Sequence, residues 1–442
     1  MKLRRLFFPL FLLLLAPFNV RAGGPISISP SGVPSTWEMP ISVHPESGTC
    51  ASFSNADMVD KLTTDLSQWE DIPGITLQYD IIPDALGVDV TVDNYTDYLV
   101  LTSSDPGLTD GLNPVIFDDN GAITDDVFGH NMKFNVLGFA GPDAFADADY
   151  LTISGGQGVF NCRCLAGNAA GDCPGNVVFS EDDLDFTMTH ELGHMTGLDH
   201  SAVNEDLADN CDVDMVGDCN DVPTMYPISE DPADQISITR DDEVAMLTLY
   251  GLAYLESNYV TVTGTVLDAD DNPLRCADVQ AQTDDPADTI SIISGIFAPN
   301  VDLNGDALTD GTGECLSNCG DFILRGLDPA KDYTIVVKPL SSRWTSGSGI
   351  YPCDPQLTTI SETTIGSLPA GSVAAGQTQS LGEIKTTSTE GVGSGGDGDS
   401  SGSSSGGCTL RPLQEKGHSL VLFMGFLLFL PLFLTRRFRN DF

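Results

Sequence analysis

The segment TMTHELGHMTGLDHS, residues 187–201, carries three of the six histidines in the chain. Two of them, His190 and His194, are four residues apart, so on a helix they project from one face and can share a metal ion. Gly197 tolerates a positive φ and lets the chain turn sharply out of the helix. That turn allows His200 to return as a third imidazole. The spacing therefore predicts a metal site built on a helix and on the turn that ends it.

Three neutral imidazoles leave one position of a tetrahedral Zn²⁺ open for water, which is the arrangement of a catalytic site. Glu191 lies beside the first histidine and can reach the bound water without being a ligand. Zinc lowers the pKa of that water to about 7, so Glu191 can take its proton as the water attacks a peptide carbonyl. An amphipathic helix with exposed histidines is the alternative, but it would need neither Glu191 nor Gly197. A structural zinc site would need a fourth protein ligand, and the sequence offers no evident one.

The string HELGHMTGLDH matches the metzincin zinc signature, HExxHxxGxxH, at every defined position. The string VPTMYP supplies Met225, and the segment ISITRDDEVAMLTLYG that follows resembles the closing helix of the matrixin subfamily. This resemblance covers residues 35–252 and implies a twisted mixed sheet with a zinc-binding helix. It also implies that Met225 is a hydrophobic base under the zinc and that Tyr226 lines the S1′ wall.

The chain departs from the matrixin pattern in two respects. Matrixins carry a propeptide whose cysteine blocks the zinc in a P-R-C-G string, whereas Cys50 lies in SGTCASF. Latency by that switch is therefore not expected. The loop that carries Cys211 and Cys219 is longer and more acidic than in compact matrixins. Astacin-like and pappalysin-like subfamilies are the alternatives, and the M-Y-P string argues against both.

The charge of the chain excludes one class of partner. Its 442 residues are 41% hydrophobic, which indicates a globular protein of two or three domains. They include 64 acidic and 19 basic residues, a formal net charge of −45. Such a field repels nucleic acid and attracts cations, calcium among them. Solubility in a salty or exposed setting is an alternative explanation for the acidity. We expect no nucleic-acid partner.

Both ends of the chain resemble processing signals. Residues 1–22 have a basic start and an apolar stretch too short for a comfortable membrane span, which predicts a signal peptide cleaved after Ala22. An uncleaved anchor is the alternative. Residues 387–410 form a Gly/Ser linker, and residues 411–442 hold an apolar run followed by arginines, which resembles bacterial C-terminal sorting signals. A single-span membrane anchor is the alternative. Either way we expect export to the surface or medium of a Gram-negative bacterium.

The cysteines agree with an oxidising compartment. There are eleven in the chain, and setting aside Cys408 in the tail leaves an even number suited to disulfides. Six of these precede residue 255 and four follow it, so each half can pair internally. We predict a pair between Cys211 and Cys219, which flank one short acidic loop. The C-R-C string at 162–164 has no matching second pair at zinc-ligand spacing.

Pattern changes along the chain predict an α+β domain over residues 23–255 and a small all-β sandwich over residues 256–386. The first contains alternating strands, a helix with its N-cap at Ser54 or Asn55, and the histidine-bearing helix with its N-cap at Ser180. The second holds alternating runs around turns, such as VTVTGTVLDADDNPLRCADVQAQ. It resembles the transthyretin-like modules of secreted bacterial enzymes, which act as spacers or binders.

Two acidic segments carry the hard oxygen ligands that calcium prefers. In the segment IFDDNGAITDDVFG, calcium ligands would come from Asp118, Asn120 and Asp125 around a turn at Gly121. Matrixins bind structural calcium before the zinc helix, which supports this site, and a solvated acidic turn is the alternative. The second segment, DLNGDALTDG, resembles half a calcium loop and lacks the glutamate at the twelfth position. Its ligands would be Asp302, Asn304, Asp306 and Asp310.

Together these patterns predict an exported zinc endopeptidase that acts on protein or peptide substrates as a monomer. His190, His194 and His200 would hold the metal, and Glu191 would be the general base. A catalytically silent surface adhesin on a metzincin scaffold is the alternative, against which the intact Glu191 and histidines weigh.

Overall fold

The structure is a computed structural model of the chain. It describes residues 24–29, 31–101, 111–147, 150–165, 173, 178–204, 221–229, 235–297, 300–301, 314–315, 318–340, 360–387 and 409–410. The predicted signal peptide, the pair Cys211–Cys219, the acidic segment 302–311 and the apolar C-terminal segment 411–442 lie outside these residues. None of the helices in the described part of the chain has the length and hydropathy needed to span a bilayer.

The described residues form five α-helices, three 3-10 turns and seventeen strands, and the predicted α+β class is confirmed. The helices are α1 (Asn55–Glu70), α2 (Ala122–Phe128), α3 (Glu181–Thr196), α4 (Arg240–Tyr250) and α5 (Leu252–Asn258). The strands are β1 (Thr36–Trp37), β2 (Ile41–Pro45), β3 (Tyr79–Ile81), β4 (Pro114–Asp118), β5 (Gly138–Phe145), β6 (Thr152–Asn161), β7 (Ile228–Ser229), β8 (Val260–Leu267), β9 (Ala277–Gln282), β10 (Ile290–Ile293), β11 (Asn300–Val301), β12 (Glu314–Cys315), β13 (Asp321–Leu327), β14 (Tyr333–Pro339), β15 (Thr363–Leu368), β16 (Thr378–Lys385) and β17 (Thr409–Leu410).

The first sheet is mixed and has six strands. Its order is β1-β6-β4-β2-β3 with parallel neighbours throughout, and β5 pairs antiparallel with β6. The strand β5 is thereby an edge strand, and it packs with β6 against α3. The edge strand β5 therefore lies beside α3, the helix that carries His190 and His194.

The helix α1 fixes the position of α3. It begins at the capping box of Ser54 and Asp57, and its buried face packs into the core that contains α3. The indole Nε1 of Trp69 donates to the carbonyl of Thr189 at 3.1 Å. Lys61 forms ion pairs with Glu181 and Asp185 on the first turns of α3. Of the two N-cap candidates, Ser54 and Asn55, the structure uses Ser54.

The described residues between 260 and 385, called the β-region below, form two larger sheets besides the two-stranded pair of β11 and β12. One has the order β10-β9-β14-β15 and the other β13-β8-β16. Their buried apolar residues and those around α3 belong to one hydrophobic cluster, which includes Tyr250 and Leu255 as well as Val260 and Leu327, and α5 contacts β13. The β-region therefore packs directly on the α+β region.

Two disulfides lie in the first half of the chain. Cys50 pairs with Cys162 across a sequence separation of 112 residues, and Cys164 pairs with Cys173 across 9 residues. Disulfide formation was predicted, but these pairings were not. The two sulfurs of the C-R-C string bind different partners, so this string is not a metal site.

Removing the long-range disulfide is expected to destabilise the protein more than removing the short-range one. In the chain-entropy model the stabilisation grows with the logarithm of the closed loop, so Cys50→Ser/Cys162→Ser should cost about 2 kcal/mol more than Cys164→Ser/Cys173→Ser. Urea unfolding followed by circular dichroism measures both double variants. Equal losses of unfolding free energy, or a larger loss in the short-loop variant, would contradict the prediction.

Asp65 is a buried carboxyl between α1 and α3. It is 2% exposed, and its Oδ2 has no hydrogen-bond partner among the described residues. Burial, followed by the nearby charge of Asp185, raises the pKa of Asp65 from 3.8 to about 8. The folded protein therefore holds a proton on Asp65 in a pH range where the unfolded chain has released it. The stability that this proton contributes is present below pH 3.8 and is lost as the pH rises through about 8.

Asp65→Asn is expected to remove this pH dependence, because the amide is neutral throughout. Relative to wild type, the variant should gain stability by up to about 1.4 kcal/mol per pH unit between pH 5 and 8. Urea unfolding at several pH values measures the difference, with Asp60→Asn on the exposed side of the same helix as control. A difference that stays constant with pH, or that grows equally in the control, would contradict this assignment.

Candidate metal centre

The residues that flank α3, Ser180 and Gly197, explain where this helix begins and ends. The Ser180 side chain accepts a hydrogen bond from the backbone of Asp183 at 3.1 Å, and the Asp183 carboxylate accepts one from the backbone of Ser180 at 2.7 Å. Such a reciprocal pair satisfies two of the amide donors that every helix start leaves without a partner. At the other end Gly197 has φ +116° and closes the helix in the left-handed region. The predicted N-cap and the predicted turn are both confirmed.

The turn at Gly197 brings the three histidines together. His190, His194 and His200 each offer a ring nitrogen, and these atoms lie within 4.8 Å of one another. The Nε2 atoms of His194 and His200 are 3.1 Å apart. All three side chains are buried. Among the residues that the structure describes, this is the group of histidine, cysteine and carboxylate side chains that could hold a metal ion.

Two carbonyl groups orient the rings of the helical histidines. Nδ1 of His190 lies 2.7 Å from the carbonyl oxygen of Thr224, and Nδ1 of His194 lies 2.8 Å from that of Leu198. A carbonyl only accepts, so Nδ1 carries the proton and donates it, which leaves the Nε2 lone pair for a metal. Nε2 of His190 has no hydrogen-bond partner in the described part of the chain. A buried ring nitrogen with a free lone pair and no hydrogen-bond donor beside it is suited to bind a metal ion.

Burial keeps the helical imidazoles neutral. It lowers the pKa of His190 to about 3, with a smaller contribution from the neighbouring His200. The same two causes, with His190 added, lower the pKa of His194 well below its ordinary value. Metal ligation needs the neutral ring. Three imidazole nitrogens at this spacing are a donor set that zinc accepts, with a fourth coordination position left for water.

Glu191 lies next to His190 on α3 and is fully buried. The strand β5 comes close to it because Gly138 has no side chain: a Cβ at Gly138 would lie 3.0 Å from Cγ of Glu191 and 2.9 Å from Cγ2 of Thr187. The first residue of this edge strand thus passes directly beside the carboxylate-bearing side chain.

Met225 packs against the middle of α3 and is 1% exposed. A Cβ at Gly193 would lie 2.5 Å from Sδ of Met225 and 3.1 Å from the ring of Trp69, so the middle of α3 must be a glycine for the methionine to fit. Tyr226, next in sequence, is also buried. The sequence had suggested Met225 and Tyr226 but not Gly193. A glycine inside a helix destabilises it by about 1 kcal/mol relative to alanine. The presence of Gly193 in the middle of a predicted helix could therefore have indicated that another residue packs closely there.

The carboxylate of Asp242 holds the turn that contains Met225. It accepts hydrogen bonds from the backbone amides of Thr224 at 2.9 Å and Met225 at 3.1 Å. It also caps α4 by accepting from the backbone of Thr239 at 3.0 Å. Because the Thr224 carbonyl orients His190, Asp242 supports a ligand through one intermediate residue. The pattern of Thr239 followed three residues later by Asp242 is a capping-box signal that could have identified it.

The segment near the start of the described chain completes the turn after α3. The amide of Ile26 donates to the carbonyl of Gly197 at 2.8 Å, and the amide of Asp199 donates to the carbonyl of Gly24 at 2.9 Å. These bonds flank a bridge between Pro25 and Leu198. The backbone between the second and third histidines is thereby held in an antiparallel pairing.

The structure gives no support for calcium at the turn that follows β4. The carboxylate of Asp118 accepts from the backbone and hydroxyl of Thr124, both at 2.8 Å. The side chain of Asn120 accepts from the amide of Ala122 at 2.8 Å, and Asp125 forms an ion pair with Lys133. These oxygens cap α2 and join it to the next turn. The other candidate ligands, Asp302, Asn304, Asp306 and Asp310, lie outside the described residues.

No protein-family model matches this chain, and no curated protein matches it either.

Gly193→Ala is expected to disturb the metal centre, although alanine is the better helix former. The added methyl group collides with Met225 and Trp69, and overpacking of this kind costs about 1–3 kcal/mol. Thermal unfolding and zinc affinity by chelator competition measure the effect. Gly141→Ala on β5 is the control, because its Cβ would meet only Cδ1 of Ile26 at 3.9 Å. A Gly193→Ala protein as stable as wild type with unchanged zinc affinity would contradict the assigned packing.

Proposed function

We propose that this protein is an exported zinc-dependent endopeptidase of the metzincin type, with motifs that resemble those of matrixins. The observation that carries the proposal is the convergence of His190, His194 and His200 in a buried site beside Glu191. The match of HELGHMTGLDH to the complete metzincin signature, with Met225 packed against α3, supports the same conclusion.

The three histidines would hold the zinc ion through ring nitrogens that carry no proton. Zinc, when bound, would supply a Lewis acid that polarises a peptide carbonyl and acidifies a water molecule. Glu191 would accept the proton of the attacking water and pass it to the leaving amine, which is general base and then general acid catalysis. A buried carboxylate beside the site, on the same rigid helix as two ligands, is suited to this transfer.

An extended peptide is the substrate form that the edge strand β5 fits best. An edge strand presents backbone donors and acceptors to which a further strand can pair. Such a peptide would run along β5 and pass Gly138, where the strand touches Glu191. Backbone pairing of this kind is independent of side chains, so it favours an endopeptidase that binds unfolded or looped segments of proteins.

Export is part of the proposal. The disulfides Cys50–Cys162 and Cys164–Cys173 suit an extracellular compartment. The signal-like start and the apolar, arginine-terminated end of the sequence support the same location, with the C-terminal segment in the membrane before or instead of sorting.

Replacing Glu191 tests the mechanism directly. Wild-type protein should contain about one zinc ion per chain and cleave casein or gelatin. Because Glu191 is not a ligand, Glu191→Gln should keep the zinc while lowering the cleavage rate by about 10²–10⁴-fold. Metal analysis and a fluorescent casein assay measure the two quantities. Glu181→Gln, in the first turn of the same helix, is the matched control and should retain both.

Three outcomes would contradict the assignment. Wild-type protein that binds zinc and cleaves no member of a peptide library would be a binding protein on this scaffold. Folded wild-type protein that binds no zinc would overturn the metal centre itself. Cleavage that survives removal of zinc by a chelator would show that the activity belongs elsewhere.

A further inference from the structure

The segment Ser201–Asn204, directly after the third histidine, is packed between the turn that contains Met225 and the β-region. The amide of Ser201 donates to the carbonyl of Met225 at 2.8 Å. The hydroxyl of Ser201 donates to Oδ2 of Asp241 at 2.6 Å. Ser201 and Val203 are buried. The backbone that leads away from His200 is therefore held on one side by the turn that contains Met225.

The other side of this segment is held by the β-region of residues 260–385. The amide of Ser291 on β10 donates to Oδ1 of Asp241 at 2.7 Å. The side chain of Gln280 on β9 lies 3.4 Å from the carbonyl of Ala202, and that of Asn204 donates to the carbonyl of Pro286 at 2.9 Å. Three successive parts of the segment thus meet the β-region, directly or through Asp241.

Asp241 connects the two regions because its oxygens serve different partners. One oxygen accepts from Ser201 beside the metal ligands, and the other accepts from Ser291 in the β-region. Its side chain is fully buried. In a dry interior such bonds are strong, and an acceptor deprived of its donors is costly. A shift of β10 would therefore be passed to Ser201 and to the neighbouring His200.

The face of the β-region that meets this segment is not the face of a free module. Asp278, Gln280, Thr289 and Ser291 are polar, yet each is at most 4% exposed. Polar side chains of a tethered spacer would lie in water. Here Gln280 bonds to Ala202 and Ser291 bonds to Asp241, both in the region that contains the metal centre.

We propose that Asp241 is a positioning residue through which the β-region holds the third histidine of the metal centre. The β-region is then a structural part of that centre, in contrast to the spacer or binder that its sequence resemblance implied. This inference rests on the proposed metal centre and concerns the geometry of ligation, not the peptide chemistry.

The test uses the full chain in which Zn²⁺ is replaced by Co²⁺, whose visible absorption bands report ligand geometry. Asp241→Asn should shift these bands and lower zinc affinity about 10–100-fold, the range found when a residue that supports a metal ligand is replaced. Asp332→Asn, an exposed carboxyl of the β-region, is the matched control and should leave both unchanged. Chelator competition measures the affinity, and thermal unfolding is recorded separately.

Two gentler variants keep the test decisive where Asp241→Asn does not fold. Ser201→Ala removes one oxygen atom, and Gln280→Ala acts from the β-region alone. Each should shift the cobalt bands in the same direction by a smaller amount, whereas Ser294→Ala, a buried serine within the β-region, should not. Variants that unfold at lower temperature while keeping wild-type cobalt bands and zinc affinity would overturn the inference, because a merely structural role predicts that result.

These readouts do not depend on cleavage. A wild-type protein that binds zinc but cleaves nothing would overturn the endopeptidase proposal and leave this inference standing if the variants shift the bands. If the wild-type protein cleaves peptides and the variants keep its cobalt bands, this inference alone would be overturned. A folded wild-type protein that binds neither metal would overturn both.

Discussion

A buried imidazole that binds a metal through one nitrogen almost always donates the proton of its other nitrogen to an acceptor, and two backbone carbonyls are the acceptors here. The carbonyl of Thr224 fixes the ring of His190, and the carbonyl of Leu198 fixes that of His194. Neither carbonyl belongs to the helix that carries the histidines. The turn at Met225 and the turn after Gly197 must therefore both be in place before two Nε2 atoms face one point. Much of the surrounding structure, from Asp242 to the pairing of Pro25 with Leu198, holds those two turns.

The sequence predicted the parts of this arrangement that depend on local spacing. The interval between His190 and His194 follows from helical geometry, and the capping residues Ser54 and Ser180 follow from backbone amides that need acceptors. The glycine at 197 could be placed because only a left-handed residue turns a helix that sharply. Each of these inferences uses residues fewer than ten positions apart.

Contacts between distant residues could not be predicted in the same way. The pairing of Cys50 with Cys162 depends on the sheet that brings β2 and β6 near each other, and the packing of Gly193 depends on where Met225 arrives. The acidic turn at Asp118 shows a different limit. The oxygens that would suit calcium also suit the first amides of a helix, and the structure uses Asp118 for the second purpose. The spacing of acidic residues does not distinguish these uses.

The pairing of Gly24–Ile26 with Gly197–Asp199 has a consequence for how the protein is made. It joins residues separated by about 170 positions in the sequence. Ser291, which bonds to Asp241, lies about 90 positions further along the chain. Because closing loops of this length costs conformational entropy, we expect these contacts to form late in folding. The ligand geometry is thus completed only after the chain as far as β10 has left the ribosome and collapsed. In the exported peptidase that we propose, this order of events would leave the nascent chain without a complete metal centre until that stage.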